Sequence, residues 1–219
     1  MSKAMETTMK KMSWIVLAFV ASLSMLTLST SAAASSEVER YHEISIADIQ
    51  HVVLKNGVGS VYVEQGEGSN LTIRAQFEGK RSGIMRRTKD VSDMDINIRE
   101  RNGVLTLSFS EDNVEATWRV TLPRVDKLDI DLGVGLVDVN IGATAVNIDL
   151  GVGDVKVVGL LSEAGAVSAD VGVGAVSIDG AHDVSSKRAI VAETARGRGD
   201  GEYPINIDIG VGDAGIRLR

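Results

Sequence analysis

The sequence is short of the residues that usually carry chemistry. Its 219 residues include no cysteine, two prolines, three histidines, and an aromatic set of three Phe, three Tyr and two Trp. Without cysteine there is no disulfide, no thiolate nucleophile, no zinc ribbon and no iron–sulfur cluster. So few histidines leave little material for acid–base catalysis near neutral pH. Positive charge is scarce as well. Thirty Asp and Glu outnumber 23 Lys and Arg, for a net charge of −7, which argues against a nucleic-acid binder. What remains is a globular profile, 44% hydrophobic and 24% charged, long enough for one domain with a real core. Glycine is the abundant exception, with 23 residues.

Residues 1–34 are expected to be an address rather than part of the fold. Lys3, Lys10 and Lys11 precede an apolar run from Trp14 to about Leu28, and small residues follow up to Ala32-Ala33-Ala34. Basic, apolar, then small is the order of a secretory signal peptide. An uncleaved anchor is the alternative, although the run is short for a membrane span of about 20 residues. No cysteine follows it to carry a lipid. The remaining chain, residues 35–219, is expected to be one exported domain, in the periplasm, at the cell surface or outside the cell. Loss of Lys3, Lys10, Lys11 and Glu6 makes that domain more acidic than the whole chain.

Glycine is arranged in a repeat. Gly-Val-Gly occurs at Gly57–Gly59, Gly133–Gly135, Gly151–Gly153, Gly172–Gly174 and Gly210–Gly212. Successive first glycines are 76, 18, 21 and 38 residues apart, close to four, one, one and two units of about 19. A period near 20 marks stacked structural units. Apolar residues alternate on both sides of each triplet, as strands require, but the phase slips by one residue across it. Ile148, Leu150 and Val152 are even, whereas Val155 and Val157 are odd. A straight strand with that slip would turn its apolar side outward; a bend or bulge at the glycines keeps it inward. Each unit therefore reads as strand, Gly-Val-Gly corner, strand. Stacked in parallel, such units enclose a dry interior of Val, Ile and Leu. The expected fold is an all-β parallel β-solenoid, regular over residues 128–219 and less regular over 35–127. A β-sandwich is the alternative.

The less regular half still shows strands at His51–Val63, Leu71–Phe77, Val104–Phe109 and Thr117–Leu122, the last stopped by Pro123. Residues 79–89 read as a basic loop or distorted hairpin containing Lys80, Arg81, Arg86, Arg87 and Lys89. Residues 185–203 read as a loop beside the penultimate strand.

The run Trp118-Arg-Val-Thr-Leu-Pro123, the following Leu128-Asp-Ile-Asp-Leu-Gly-Val-Gly135 and the repeated Gly-x-Gly-Asp-Val-x-Val resemble a bacterial family. It is the "putative adhesin" family of extracytoplasmic β-repeat proteins, also known as a domain of unknown function (DUF4097-like). The stretch Leu54–Val63 followed by Leu71–Arg74 matches its pattern too, so the resemblance spans about residues 45–219. It implies a parallel β-solenoid and a surface or envelope role, and it carries no agreed catalytic residues.

Chemistry is thin elsewhere. The Gly-Val-Gly triplets lack the third glycine and helix of a dinucleotide loop and the Gly-Lys-Ser/Thr of a nucleotide-binding loop. They are read as structural corners. Asp131, Asp149, Asp170 and Asp208 each stand two residues before a triplet, so stacking would put their carboxylates about 4.8 Å apart. Like charges at such distances repel by about 1 kcal/mol in water, which a hard divalent cation would relieve. These four are weak Ca²⁺ candidates, with Asp154 and Asp213 beside them; a solvated outward face is the plainer reading. Arg198-Gly-Asp200 spells a cell-attachment tripeptide inside a polar glycine-rich stretch. His42, His51 and His182 have no partners at catalytic or ligand spacing. No catalytic residue and no cofactor is assigned.

The expected function is thus a non-enzymatic adhesin or interaction scaffold of the cell envelope. Its contacts would be strand edges at a solenoid end or side-chain rows on a flat face. The partner is an unknown envelope protein or polymer, with self-association through the solenoid ends as a further expectation. The C-terminal stretch Ile216–Arg219 is expected to form an exposed end rung. The alternative is a Ca²⁺-dependent polysaccharide-binding or polysaccharide-cleaving solenoid.

Overall fold

In this computed structural model the described residues are 36–82 and 87–219, so the expected export signal lies outside them. Every described element is a strand: β1 (Glu37–Ser45), β2 (His51–Gln65), β3 (Asn70–Gly79), β4 (Arg81–Ser82), β5 (Arg87–Thr88), β6 (Asn97–Arg101), β7 (Val104–Phe109), β8 (Val114–Leu122), β9 (Lys127–Asn140), β10 (Ala145–Gly159), β11 (Ala164–Asp179), β12 (His182–Ala189), β13 (Ala192–Arg198) and β14 (Tyr203–Leu218). β4 and β5 form a two-stranded hairpin; the others join one sheet in the order β1-β3-β8-β2-β9-β10-β14-β11-β13-β12, with β7 and β6 attached to β2.

The five triplets lie in the long strands β2, β9, β10, β14 and β11, which pair in parallel with every triplet in register. These strands cannot be straight. Lys127 and Asn140 would then stand about 43 Å apart at 3.3 Å per residue. Yet the four residues from Ile141 to Thr144 carry the chain from Asn140 to Ala145, which pairs with Lys127. Such a link spans at most about 19 Å. Each long strand therefore folds at its glycines into an N-arm and a C-arm. Burial follows the same switch: Leu128, Ile130 and Leu132 point inward before the corner, Val137 and Val139 after it.

The two arms face each other across one core. N-arm residues such as Ile148, Leu150, Ile207 and Ile209 meet C-arm residues such as Val155, Val157 and Ile216 in a single buried cluster. At β2 the sheet forks. Its N-arm pairs with β7 and its C-arm with β8, and β8 leads on to β3 and β1. The few large rings fill this wider end. Trp118 is fully buried, and the Phe77 and Phe109 rings lie 4.6 Å apart.

The all-β expectation stands, while the stacking differs from a purely parallel solenoid. The sheet is mixed, because β1, β3, β6, β13 and β12 pair antiparallel. The units are also not stacked in chain order: β14 inserts between β10 and β11. Residues 185–203 are not a loop, since β12 and β13 form a hairpin there. The reason lies at its tip. β12 runs parallel to β11 across β13, and in that register Ala189-Ile190-Val191 stands where β11 has Gly172-Val-Gly174. With no glycine pair to bend it, the strand reverses, and Ile190 takes φ 54°, which β-branched residues avoid. The C-terminal strand is correspondingly no end rung. β14 is paired on both sides, through β10 and β11.

The corner forbids side chains. The second glycines Gly59, Gly135, Gly153, Gly174 and Gly212 have φ between 138° and 148°, a region open to glycine. A Cβ on Gly153 would sit 1.7 Å from the Gly135 carbonyl oxygen. Gly215 has ordinary φ, and its nearest neighbour would be Ser177 Oγ at 3.5 Å. Gly153→Ala should therefore destabilise the protein by at least about 3 kcal/mol in urea denaturation, and Gly215→Ala by less than about 0.5 kcal/mol. Equal midpoints for the two variants would refute the corner geometry.

Candidate functional site

The corner presents three parallel rows to solvent. The middle row is Val58, Val134, Val152, Val211 and Val173, in register on successive strands. Each is 45–47% exposed, although valine is usually buried. Their side chains point outward because the inward direction at the bend is taken by backbone packed on backbone. The row is about 19 Å long at 4.8 Å per strand. At its β11 end, Gly174 N–H donates to the Val191 carbonyl (3.1 Å), which brings exposed Val191 and Ile190 alongside. A continuous apolar ridge of this kind is unusual on a free surface.

A carboxylate row flanks the ridge on the N-arm side. Lys55, Asp131, Asp149, Asp208 and Asp170 lie in register, ending at Thr194 of β13. Lys55 Nζ donates to Asp131 Oδ2 at 3.2 Å, and the Thr194 hydroxyl donates to Asp170. Asp149 sits mid-row without such a partner. Burial, followed by the charges of Asp208, Asp131 and Asp129, raises its pKa above the usual carboxylate value.

The next outward row is an amide ladder. Asn147 Nδ2 donates to Asp129 Oδ1 (2.8 Å), Asn206 Nδ2 to Asn147 Oδ1 (2.9 Å), and Ser168 Oγ to Asn206 Oδ1 (2.9 Å). Asp129 ends the ladder and also accepts from Lys127 Nζ (2.8 Å), with His51 Nε2 2.7 Å away. Partial burial pushes its pKa up, but the hydrogen bonds from Lys127, Asn147 and His51 outweigh this and hold it low. Sequence inspection passes over this ladder, although the signal is present: Asp129, Asn147, Ser168 and Asn206 all stand four residues before a triplet.

On the C-arm side Asp154 and Asp213 have a structural task. Asp213 N–H donates to Asp154 Oδ1 (3.3 Å), and Ala175 N–H donates to Asp213 Oδ1 (2.8 Å). The bend interrupts the ladder there, and carboxylates from one strand take amides of the next.

Among the described residues no group of three or more His, Asp or Glu could hold a metal ion. The Ca²⁺ candidates Asp131, Asp149, Asp170 and Asp208 stand in a line, one per strand, rather than around a point. The histidines do find distant partners: besides His51 with Asp129, His42 pairs with Asp95 (2.7 Å) and His182 with Asp200 (3.2 Å). Arg198-Gly-Asp200 is held against the sheet, since Asp200 also donates its N–H to the Leu161 carbonyl. In the basic stretch, Lys80 lies between Glu115 (2.8 Å) and Glu78 (3.0 Å), while Arg81 and Arg87 are exposed. Arg86 lies outside the described residues. A cleft of about 720 Å³ opens at the fork of the sheet, lined by Asn56, Asp95, Glu111 and Asp131 among others. Three of its acids have partners: Asp95 has His42, Asp131 has Lys55, and Lys89 Nζ is 4.0 Å from Glu111.

The two aspartates should respond oppositely to substitution. Asp129 is held low, so its contribution to stability is present above the ordinary carboxyl pKa and fades as pH falls through its folded value. Asp149 is raised, so its ionisation disfavours the folded state as pH rises through its folded value. Near pH 7 (about 3 units above an ordinary Asp pKa), Asp129→Asn should lower the urea midpoint and Asp149→Asn should raise it. Both differences should shrink once acid protonates the carboxylates. Shifts of the same sign near neutrality would contradict the electrostatics of these rows.

Comparison with solved structures finds weak likenesses. A "putative cell adhesion protein" from Clostridium sporogenes is 18% identical with a TM-score of 0.49, over 84% of this chain and 100% of its own. A "putative adhesin" from Bacteroides fragilis is 12% identical with a TM-score of 0.34, over 84% and 98%. No protein-family model matches the chain, and no curated protein does.

Proposed function

We propose that this chain is a non-enzymatic binding protein of the cell envelope, an adhesin or interaction scaffold that engages its partner through the Gly-Val-Gly corner. The observation that carries the reading is the solvent-facing ridge from Val58 to Val173, flanked by Asp131, Asp149, Asp208 and Asp170. An apolar strip beside a negative row fits a partner that is itself apolar and cationic. The same charge opposes nucleic acid and anionic lipid. The expected export signal supports an extracytoplasmic location, and no helix among the described residues is long and apolar enough to cross a membrane. Among the described residues the three histidines pair with carboxylates, which gives each a structural partner. The stacked arms, read as a two-sided relative of a β-solenoid, give the ridge its rigidity.

The test is retention of the purified exported domain on isolated cell envelopes. Val134→Ser with Val152→Ser and Val211→Ser removes the centre of the ridge without touching the glycines. Retention should fall at least about ten-fold, as expected for losing a central apolar anchor. It should also weaken with added salt, because the flanking carboxylates contribute. Undiminished retention by the folded triple variant would remove the corner from the binding site.

A further inference from the structure

The two layers of the coil do not end together. At the β2 end both continue: β7 and β6 extend the N-arm layer, and β8, β3 and β1 extend the C-arm layer. At the β11 end only one does. β13 pairs with the β11 N-arm from Ala166 to Val171, and β12 pairs with β13. Among the described residues, no strand pairs with the outer side of the β11 C-arm, Ala175–Asp179. The C-arm layer is therefore two strands short, and the β12–β13 hairpin overhangs the gap by about 10 Å.

The core registers the gap. Inward C-arm residues elsewhere are sealed: Val137, Val139, Val155, Val157, Ala214 and Ile216 are all at most 3% exposed. The equivalent residues on β11, Val176 and Ile178, are only half-buried. The open edge is also guarded. Val176 N–H points away from β14 and donates to Glu193 Oε2 (3.2 Å), a carboxylate held by Arg188 Nη2 at 2.7 Å. A side chain fills the place that a neighbouring strand's carbonyl would take. Because amides alternate along a strand, Ile178 N–H faces the same open side.

We propose that the β11 C-arm is an acceptor edge for one extended segment of another protein, added as a strand beneath the β12–β13 overhang. The slot selects its occupant. A second folded copy pairing through this edge would have to drive its own opposite layer through the overhanging hairpin, whereas a strand two spacings wide or less fits beneath it. Alternate apolar residues of the segment would cover Val176 and Ile178. Its backbone carbonyl would replace Glu193 at the Val176 amide. The displaced carboxylate, with Asp179 at the end of the same strand, favours a basic side chain on the incoming segment. The C-arms of this chain have that composition, Gly-Asp-Val-Lys-Val-Val from 153 to 158. Addition of a strand to an exposed edge is a general recognition mode, with affinity from the backbone and selectivity from alternate side chains.

The probe is a fluorescent synthetic peptide with the sequence of residues 151–159, titrated into the folded domain and followed by anisotropy. It should bind saturably, one per chain. Glu193→Ala, which frees the edge, should bind it several-fold more tightly. Ile178→Pro removes an outward donor and spares the bonds to β14, so it should weaken binding about ten-fold or more. On the unmodified chain, bound peptide should slow amide hydrogen exchange at Val176 and Ile178, a readout independent of whether Ile178→Pro folds. Absence of binding to both the wild-type and Glu193→Ala domains would overturn the proposal. So would unchanged exchange at the two amides, or concentration-dependent dimerisation through this edge. None of these outcomes bears on the valine ridge, whose test is separate.

Discussion

Everything in this fold depends on backbone packed directly on backbone at the corner. Each second glycine of a triplet lies against the carbonyl of the one beneath it, so that an added Cβ on Gly135, Gly153, Gly174 or Gly212 would stand only 1.6–1.7 Å from an oxygen. The first glycines form a second stack, with Gly133, Gly151, Gly210 and Gly172 meeting carbonyl oxygens at 2.5–2.7 Å from an ideal Cβ. Two glycine columns thus let five strands bend at one line. The bend brings two apolar faces of each strand together, and burial of those aliphatic faces supplies the stabilisation.

The same constraint creates the surface. Between the two glycines one residue must point outward, and five valines there make a ridge that core burial does not use. The amides released by the bend are taken by Asp154 and Asp213, so carboxylates are drawn to the corner for structural reasons. Along the N-arms, outward residues stack at strand spacing. Where Asn and Ser stack they bond in a chain, and where Asp stacks they repel unless Lys55 or Thr194 intervenes. Structure and recognition share these rows. Asp149, which has no such partner, marks a position where the face is held negative at some cost to the fold.

The histidines and the C-terminus show how far sequence distance misleads. His51 lies 78 residues from Asp129, and only the parallel pairing of β2 with β9 brings them within 2.7 Å. Likewise the last long strand in the chain, β14, is among the most central in the sheet.

The sequence by itself determined the long strands, the inward side of each and the corners. The reason is local: alternation sets which side is apolar, and a one-residue slip across Gly-Val-Gly requires a bend wherever it occurs. It also placed Asp131, Asp149, Asp170 and Asp208 on one outward row, because equal offsets from equivalent glycines must stack. Neighbour order was decided only by the tertiary structure. Near-identical units such as Asn147–Val157 and Asn206–Ile216 can pair with one another in several orders, and their spacing does not choose among them. The tertiary structure puts β14 between β10 and β11. Where Ala189 and Val191 stand in place of the glycines the chain reverses into a hairpin, which extends one layer and leaves the other with an open edge.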